Sequence, residues 1–176
     1  MANVVVVIDM VKGFLQEGNN LYCGDDARGI IPNVQRLIER EQAEGGVVLF
    51  LCDTHDPDDL EFEMFPVHCV RGTEEPEVIP ELAGYEGRII AKRRYSAFFE
   101  TDLEKTLQSL RPEKVIICGV CTDICVMHTA ADARNRDYRV EMPTDCVASF
   151  DQNAHINALQ HMEKILGVTL TESTQP

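Results

Sequence analysis

Residues 115–133 read Val-Ile-Ile-Cys-Gly-Val-Cys-Thr-Asp-Ile-Cys-Val-Met-His-Thr-Ala-Ala-Asp-Ala, and they constrain the fold more than any other stretch. Val115–Cys118 is a short, β-branched apolar run, the pattern of a buried strand. Gly119 breaks the run. Thr122 and Asp123 are both N-cap types. Ile124, Met127 and Ala131 then recur at helical spacing. The stretch predicts strand, sharp turn, helix. Cys125 falls in the first helical turn, beyond the carboxyl end of a strand. There the helix macrodipole favours a thiolate, and backbone N–H groups can hold an oxyanion. In open α/β sheets, sites lie at that edge. A cysteine so placed can equally be a small buried hydrophobe, so the rest of the chain has to decide.

The same alternation runs through the chain. Asn3–Ile8 is a continuous apolar strand. Ile30–Ala43 reads as a helix with the stripe Ile30, Ile31, Val34, Leu37 and Ile38, ended by Gly45-Gly46. Val47–Cys52 is a second buried strand and Arg88–Ala91 a third. Leu103–Leu110 is a helix with a capping box from Thr101 and Glu104. The helix after Asp123 runs to about Arg136. Arg139–Glu141 continues as a strand, and Pro143–Ser149 leaves it. Asp151–Leu166 is a last helix with Ala154, Ala158, Leu159, Met162 and Ile165 inward, and His155 and His161 on the surface. Val168–Leu170 is a short final strand, and the last six residues are expected to fray. Strands alternating with helices predict a three-layer α/β/α fold around a mainly parallel, doubly wound sheet. With no repeat, linker or low-complexity segment, residues 1–176 are expected to form a single domain.

The polar residues that end the strands carry the chemical argument. Asp9 follows the first strand, Asp53-Thr54-His55 the second and Lys92 the third. A lysine at that edge would lower a thiol pKa. An acid, a cation and the Cys125 thiol together make an activated nucleophile. His128 lies one turn from Cys125, but nothing supports it as a base. Residues 56–87 are long, irregular and acidic, with four prolines, and loops of that length are usually functional. They bring Glu61 and His68. Asp53, His55, Glu61 and His68 are O and N donors suited to Zn²⁺, Fe²⁺ or Mn²⁺. Asp-x-His sets both side chains on one side of an extended segment. Phe14, in a loop, could wall a pocket or cover core.

Charge and cysteine usage narrow the partners. The formal net charge is −14, from 16 basic and 30 acidic residues, which argues against nucleic acid or an anionic membrane surface. No apolar run is long enough to span a bilayer, and the first residues lack signal-peptide regions. A cytoplasmic location is the expectation. Seven cysteines form no regular framework, so most should be free thiols. Cys118-Gly-Val-Cys121 has redox spacing, but Cys118 reads as part of the strand, whereas redox pairs sit at a helix start. Cys118, Cys121 and Cys125 as a thiolate metal site would lack a clean fourth ligand.

Five motifs taken together resemble the isochorismatase-like cysteine hydrolases, and within them the nicotinamidases (pyrazinamidases). They are Val7-Ile8-Asp9, Asp53-Thr54-His55, Phe65-Pro66-Val67-His68-Cys69-Val70-Arg71-Gly72-Thr73, Lys92-Arg93-Arg94-Tyr95-Ser96-Ala97-Phe98 and Gly119-Val120-Cys121-Thr122-Asp123-Ile124-Cys125-Val126. The resemblance spans Val4 to about Leu170. It implies a catalytic triad of Asp9, Lys92 and Cys125, with Cys125 rather than Cys121 as nucleophile. It implies a divalent metal, most often Zn²⁺, on Asp53, His55 and His68, with Glu61 at a fourth position used in some members. It also implies a non-proline cis peptide at Val120–Cys121, placing the Cys121 N–H beside that of Cys125 as an oxyanion hole. Phe14 and Tyr95 would wall the pocket for a flat ring. The implied activity is hydrolysis of nicotinamide to nicotinic acid and ammonia, a step of NAD salvage, through a cysteine thioester. The implied partner is a small-molecule substrate, and homo-oligomers are expected by analogy. Two departures bear on the substrate. Thr54 stands where many nicotinamidases carry an aromatic residue, and the chain has no tryptophan. Another small amide, a ureide or isochorismate is therefore the alternative substrate, and a non-enzymatic or redox protein on the same scaffold the alternative of another class.

Overall fold

In the computed structural model, which describes residues 2–173, the apolar runs form one seven-stranded parallel sheet. Its strands are β1 (Val4–Ile8), β2 (Val47–Asp53), β3 (Arg88–Lys92), β4 (Val115–Val120), β5 (Val140–Pro143), β6 (Val147–Ala148) and β7 (Thr169–Thr171). The helices between them are α1 (Lys12–Leu15), α2 (Asp25–Gly29), α3 (Ile31–Ala43), α4 (Leu103–Leu110), α5 (Met127–Arg134) and α6 (Gln152–His161). The spatial order is β3-β2-β1-β4-β5-β7. β5 pairs with the start of β4 at Val115 and Ile116, and β6 takes over at Gly119 and Val120.

The run Val4–Ile8 is apolar throughout because both of its faces are covered. Side chains alternate across a strand. Val5 and Val7 join the layer of Val34, Leu37 and Ile38 from α3. Val4, Val6 and Ile8 join Leu103 and Leu107 of α4 and Ala130 and Ala133 of α5. Each such buried Val, Leu or Ile side chain contributes roughly 1.5–3 kcal/mol of transfer free energy. The chain steps outward from β1 to β2 and β3 on one side, and from β4 to β5 and β7 on the other. The order therefore reverses between β1 and β4, and the crevice beyond their carboxyl ends is where ligands bind in such sheets.

Several local expectations change. Gly119 does not end the strand; β4 runs on through Gly119 and Val120. The glycine is needed because its φ is +114° and because β1 crowds it. A Cβ there would stand 2.0 Å from the Ile8 carbonyl oxygen. Thr122 and Asp123 do not cap a helix. The chain enters α5 through a π-type turn, Thr122–Val126, without a side-chain cap. Asp123 instead accepts from the Ser149 hydroxyl. Thr122 Oγ1 pairs at 2.8 Å with Nδ1 of His155, which is half-buried rather than on the surface. Phe14 lies in the short helix α1, not in a loop. The Thr101–Glu104 capping box does not form. Thr101 Oγ1 accepts from Leu103 N at 3.2 Å, but Glu104 pairs with Arg136.

The last helical run turns π-like over Met162–Leu166, which rotates Ile165 outward to 69% exposure. Of the expected fraying tail, residues 171–173 are held: Thr171 pairs in β7, and Ser173 bonds Asp145 through its backbone N–H and its hydroxyl. Residues 174–176 lie outside the described residues. Among the described residues, no helix is long and apolar enough to cross a membrane.

Candidate active site

Asp9, Lys92 and Cys125 converge at the reversal point. Asp9 follows β1 with φ at +52°, a conformation Asp tolerates, and is fully buried. Its Oδ1 accepts from the Asp53 backbone N–H at 2.9 Å. Its Oδ2 lies 2.9 Å from Lys92 Nζ, an ion pair between two fully buried side chains. Lys92, which ends β3, also donates to Asp53 Oδ1 at 3.1 Å and to the Arg94 carbonyl at 3.1 Å. Its Nζ is 3.5 Å from Cys125 Sγ.

Burial decides the protonation states here. It pushes the Asp9 carboxyl up to about 6, against the pull of Lys92. Burial would neutralise Lys92, but Asp53 and Asp9 hold it charged. Cys125 differs from the expectation of a lowered thiol. Burial, with the Asp9 and Asp53 anions, pushes it well up, and Lys92 opposes this only in part. The resting site is thus a neutral thiol beside a lysine ammonium and a carboxylate.

The second cluster shares one residue with the first. Asp53, His55, Glu61 and His68 are all buried, and each offers a ligand atom within 4.8 Å of the others. The distances from Asp53 Oδ2 to the Nε2 atoms of His55 and His68 are 2.8 and 3.3 Å. Glu61 Oε1 lies 4.0 and 3.8 Å from the same two nitrogens. Hydrogen bonding at the far side of each ring tests whether a cation fits. His68 Nδ1 meets the Pro66 carbonyl at 2.7 Å, and His55 Nδ1 meets Asp59 Oδ2 at 3.0 Å. Both acceptors call for a proton on Nδ1, so a neutral ring aims its Nε2 lone pair at carboxylate oxygens. Lone pairs facing lone pairs are the donor arrangement a divalent cation needs. In a protein without the cation, the same geometry can be met only by extra protons. Burial lowers the His55 pKa, but Asp53 and Asp59 outweigh it and drive it up to about 9.

Both clusters open into one cleft. Asp9, Asp53, Glu61, His68, Cys121 and Cys125 line its polar side, and Phe14 and Tyr95 stand among its walls as expected. Sequence reasoning missed Leu21, Phe65, Ile124 and Phe150, which complete the apolar lining. It also missed Asp59 and Arg94, which back the second cluster. His128 is exposed and turns Nδ1 to the Ile124 carbonyl, so it faces no partner in the triad. All seven cysteines are free. Cys118 is wholly buried within β4, and the near neighbour of Cys121 Sγ is Cys23 Sγ at 3.6 Å. The Val120–Cys121 peptide is cis.

Comparison with known proteins places this arrangement. Residues 3–174 match the isochorismatase domain. The crystal structure of nicotinamidase PncA from Bacillus subtilis superimposes with a TM-score of 0.91 at 34% identity, covering 98% of this chain and 100% of that one. N-carbamoylsarcosine amidase from Thermoplasma acidophilum gives 0.90 at 31% identity, covering 100% and 99%. A pyrazinamidase of Pyrococcus horikoshii, solved in complex with zinc, gives 0.90 at 28% identity, covering 98% and 99%. A matched domain over nearly the whole chain, carried on the same fold, leaves one assignment: the chain belongs to the isochorismatase family and is a hydrolase of that family.

Proposed function

We propose that this protein is a nicotinamidase, hydrolysing nicotinamide to nicotinic acid and ammonia with Cys125 as nucleophile. The observation that carries the reading is the shared cleft. A thiol with an acid and a lysine at its side opens into the same apolar space as a buried set of cation donors. That pairing suits a flat ring that bears both a coordinating nitrogen and a carboxamide. Asp53, His55, Glu61 and His68 would hold a divalent cation, which would supply a Lewis-acid contact to orient the ring; the Pyrococcus relative was solved in complex with zinc.

The chain's own residues perform the reaction in two halves. Asp9, ionised at neutral pH, takes the Cys125 proton on its carboxylate as sulfur attacks the carboxamide carbon. Lys92 offsets the negative charge that builds on sulfur from 3.5 Å away. The backbone N–H groups of Cys121 and Cys125 hold the tetrahedral oxyanion. Asp9 returns the proton to the leaving nitrogen, ammonia departs and a thioester remains. Asp9 then draws a proton from water as it attacks the thioester; the C–S bond breaks, the acid is released, and Asp9 returns the proton to the Cys125 sulfur. A thiol that is neutral at rest fits this order, because its proton leaves only when an electrophile is in place.

One observation favours a second reading, hydrolysis of a different small amide or ureide. The amidase from Thermoplasma is as similar in fold as the pyrazinamidase, and the ring wall expected at residue 54 is a threonine. Ammonia release from nicotinamide, with zinc, iron and manganese determined on the same preparation, separates the two. Release with about one metal per chain supports nicotinamide hydrolysis. Metal without release overturns nicotinamide as substrate, and N-carbamoyl compounds are then assayed. Release without metal overturns the cation reading alone.

A further inference from the structure

Asp59 belongs to neither cluster, yet it touches both halves of the cation-donor set. Its side chain is 4% exposed. Oδ2 meets His55 Nδ1 at 3.0 Å. Oδ1 accepts from the Glu61 backbone N–H at 2.9 Å and so starts the 3₁₀ turn Leu60–Glu63 that carries Glu61. Arg94 Nη1 donates to both carboxylate oxygens at 2.9 Å. Arg94 stands two residues beyond Lys92, and its carbonyl accepts from Lys92 Nζ at 3.1 Å. Without Asp59, the His55 ring would lose the acceptor that fixes its tautomer, and the turn under Glu61 would lose its cap.

We propose that Asp59, held by Arg94, is the positioning residue of the cation site: it aims the Nε2 atom of His55 and the carboxylate of Glu61 at a shared divalent ion. The inference rests on the reading that the four donors bind such an ion. The physical case has three parts. A carboxylate behind a ligating imidazole raises its basicity and fixes its orientation. A cap on a four-residue turn sets where the next side chain points. The Arg94 contact ties the carboxylate to the strand end that presents Lys92.

The test is a Zn²⁺ affinity measured by competition with a chromophoric chelator on wild type, Asp59→Ala, Asp59→Asn and Arg94→Lys. Asp59→Ala is expected to weaken Zn²⁺ binding about 10–100-fold. Asp59→Asn keeps an oxygen that can accept from either partner, so it should recover part of the loss and guards against misfolding of the alanine variant. Arg94→Lys loses the forked contact and should fall between wild type and Asp59→Asn. Asp56→Ala removes an exposed carboxylate of the same loop, paired with Arg71, and should leave the affinity unchanged. With amide substrate, the Asp59 variants should raise KM more than they lower kcat; a residue serving the fold alone would not split the two. Wild-type Zn²⁺ affinity in folded Asp59→Asn and Asp59→Ala overturns the inference while the cation reading stands. A wild-type protein that binds no Zn²⁺ overturns the cation reading first and this inference with it.

Discussion

The two clusters that meet at Asp53 are built by different means. The thiol side hangs on regular structure. Asp9 and Lys92 end the strands β1 and β3, and Cys125 sits in the turn that leaves β4. Backbone ladders between β1, β2, β3 and β4 fix these positions to the sheet. The cation side hangs on an irregular segment. His55 is held by backbone bonds to Cys69 and Arg71, and Glu61 and His68 come from residues 56–87, whose one regular element is the 3₁₀ turn Leu60–Glu63. The lesson is one of roles. Bond making needs positions that do not move, and the sheet supplies them. Ring holding needs positions that can vary with substrate, and a loop pinned by a few polar contacts supplies those. Asp53 belongs to both, with one oxygen on Lys92 and the other on the two histidines.

The largest expected effects break the thiol side. Cys125→Ala should lower kcat by about 10⁴-fold or more, since no second nucleophile is in place. Cys121→Ala should stay within about tenfold of wild type, because only its backbone is used. Stopped-time ammonia assays on both variants check this, and the reverse ranking would move the nucleophile to Cys121. Asp53→Asn tests the hinge between the two sides. It removes a proposed cation ligand and a counter-charge of Lys92 together, so bound metal and kcat/KM should fall in step, the latter by about 10²–10³-fold. A variant that lost metal but kept kcat would show the two sides to be independent.

His68→Ala touches only the loop side. It should weaken metal binding about 10–100-fold and raise KM, with a smaller change in kcat. Metal content by mass spectrometry and a KM against kcat comparison check it. The smallest expected effect is in the pH profile. In the proposed reaction Asp9 must be ionised to accept the thiol proton, and burial raises its pKa to about 6. The kcat/KM of wild type should therefore fall as pH drops through about 6, not through the ordinary carboxylate range near 4. An acid limb near 4 would mean that the buried carboxylate is better stabilised than its surroundings indicate.

The same contrast explains what the sequence revealed. Strand ends are legible because an apolar β-branched run followed by Asp9 or Lys92 has few other readings, and register then follows from the sheet. The alternation that built the three layers was legible for the same reason. Local capping was not. Thr122 and Asp123 look like caps, but Ser149 and His155, more than twenty residues on, compete for them. Gly119 looked like a breaker because a sequence shows its missing side chain but not the Ile8 carbonyl beside it. The thiol's raised pKa escaped because a helix start and a lysine are visible locally, whereas total burial is a property of the whole fold. Asp59 and Arg94 escaped for the same reason. Acidic residues are common in that loop, and Arg94 sits in a run of three cations that the fold sends to three different places.

Trapping a covalent intermediate would show whether Cys125 is the nucleophile. Wild-type enzyme turning over nicotinamide would be quenched in acid, digested and mapped by mass spectrometry. A nicotinoyl thioester is expected on the peptide that contains Cys125, at Cys125 and not Cys121, and absent from Cys125→Ala. Turnover with an unmodified Cys125, or with the acyl group on another residue, would contradict it.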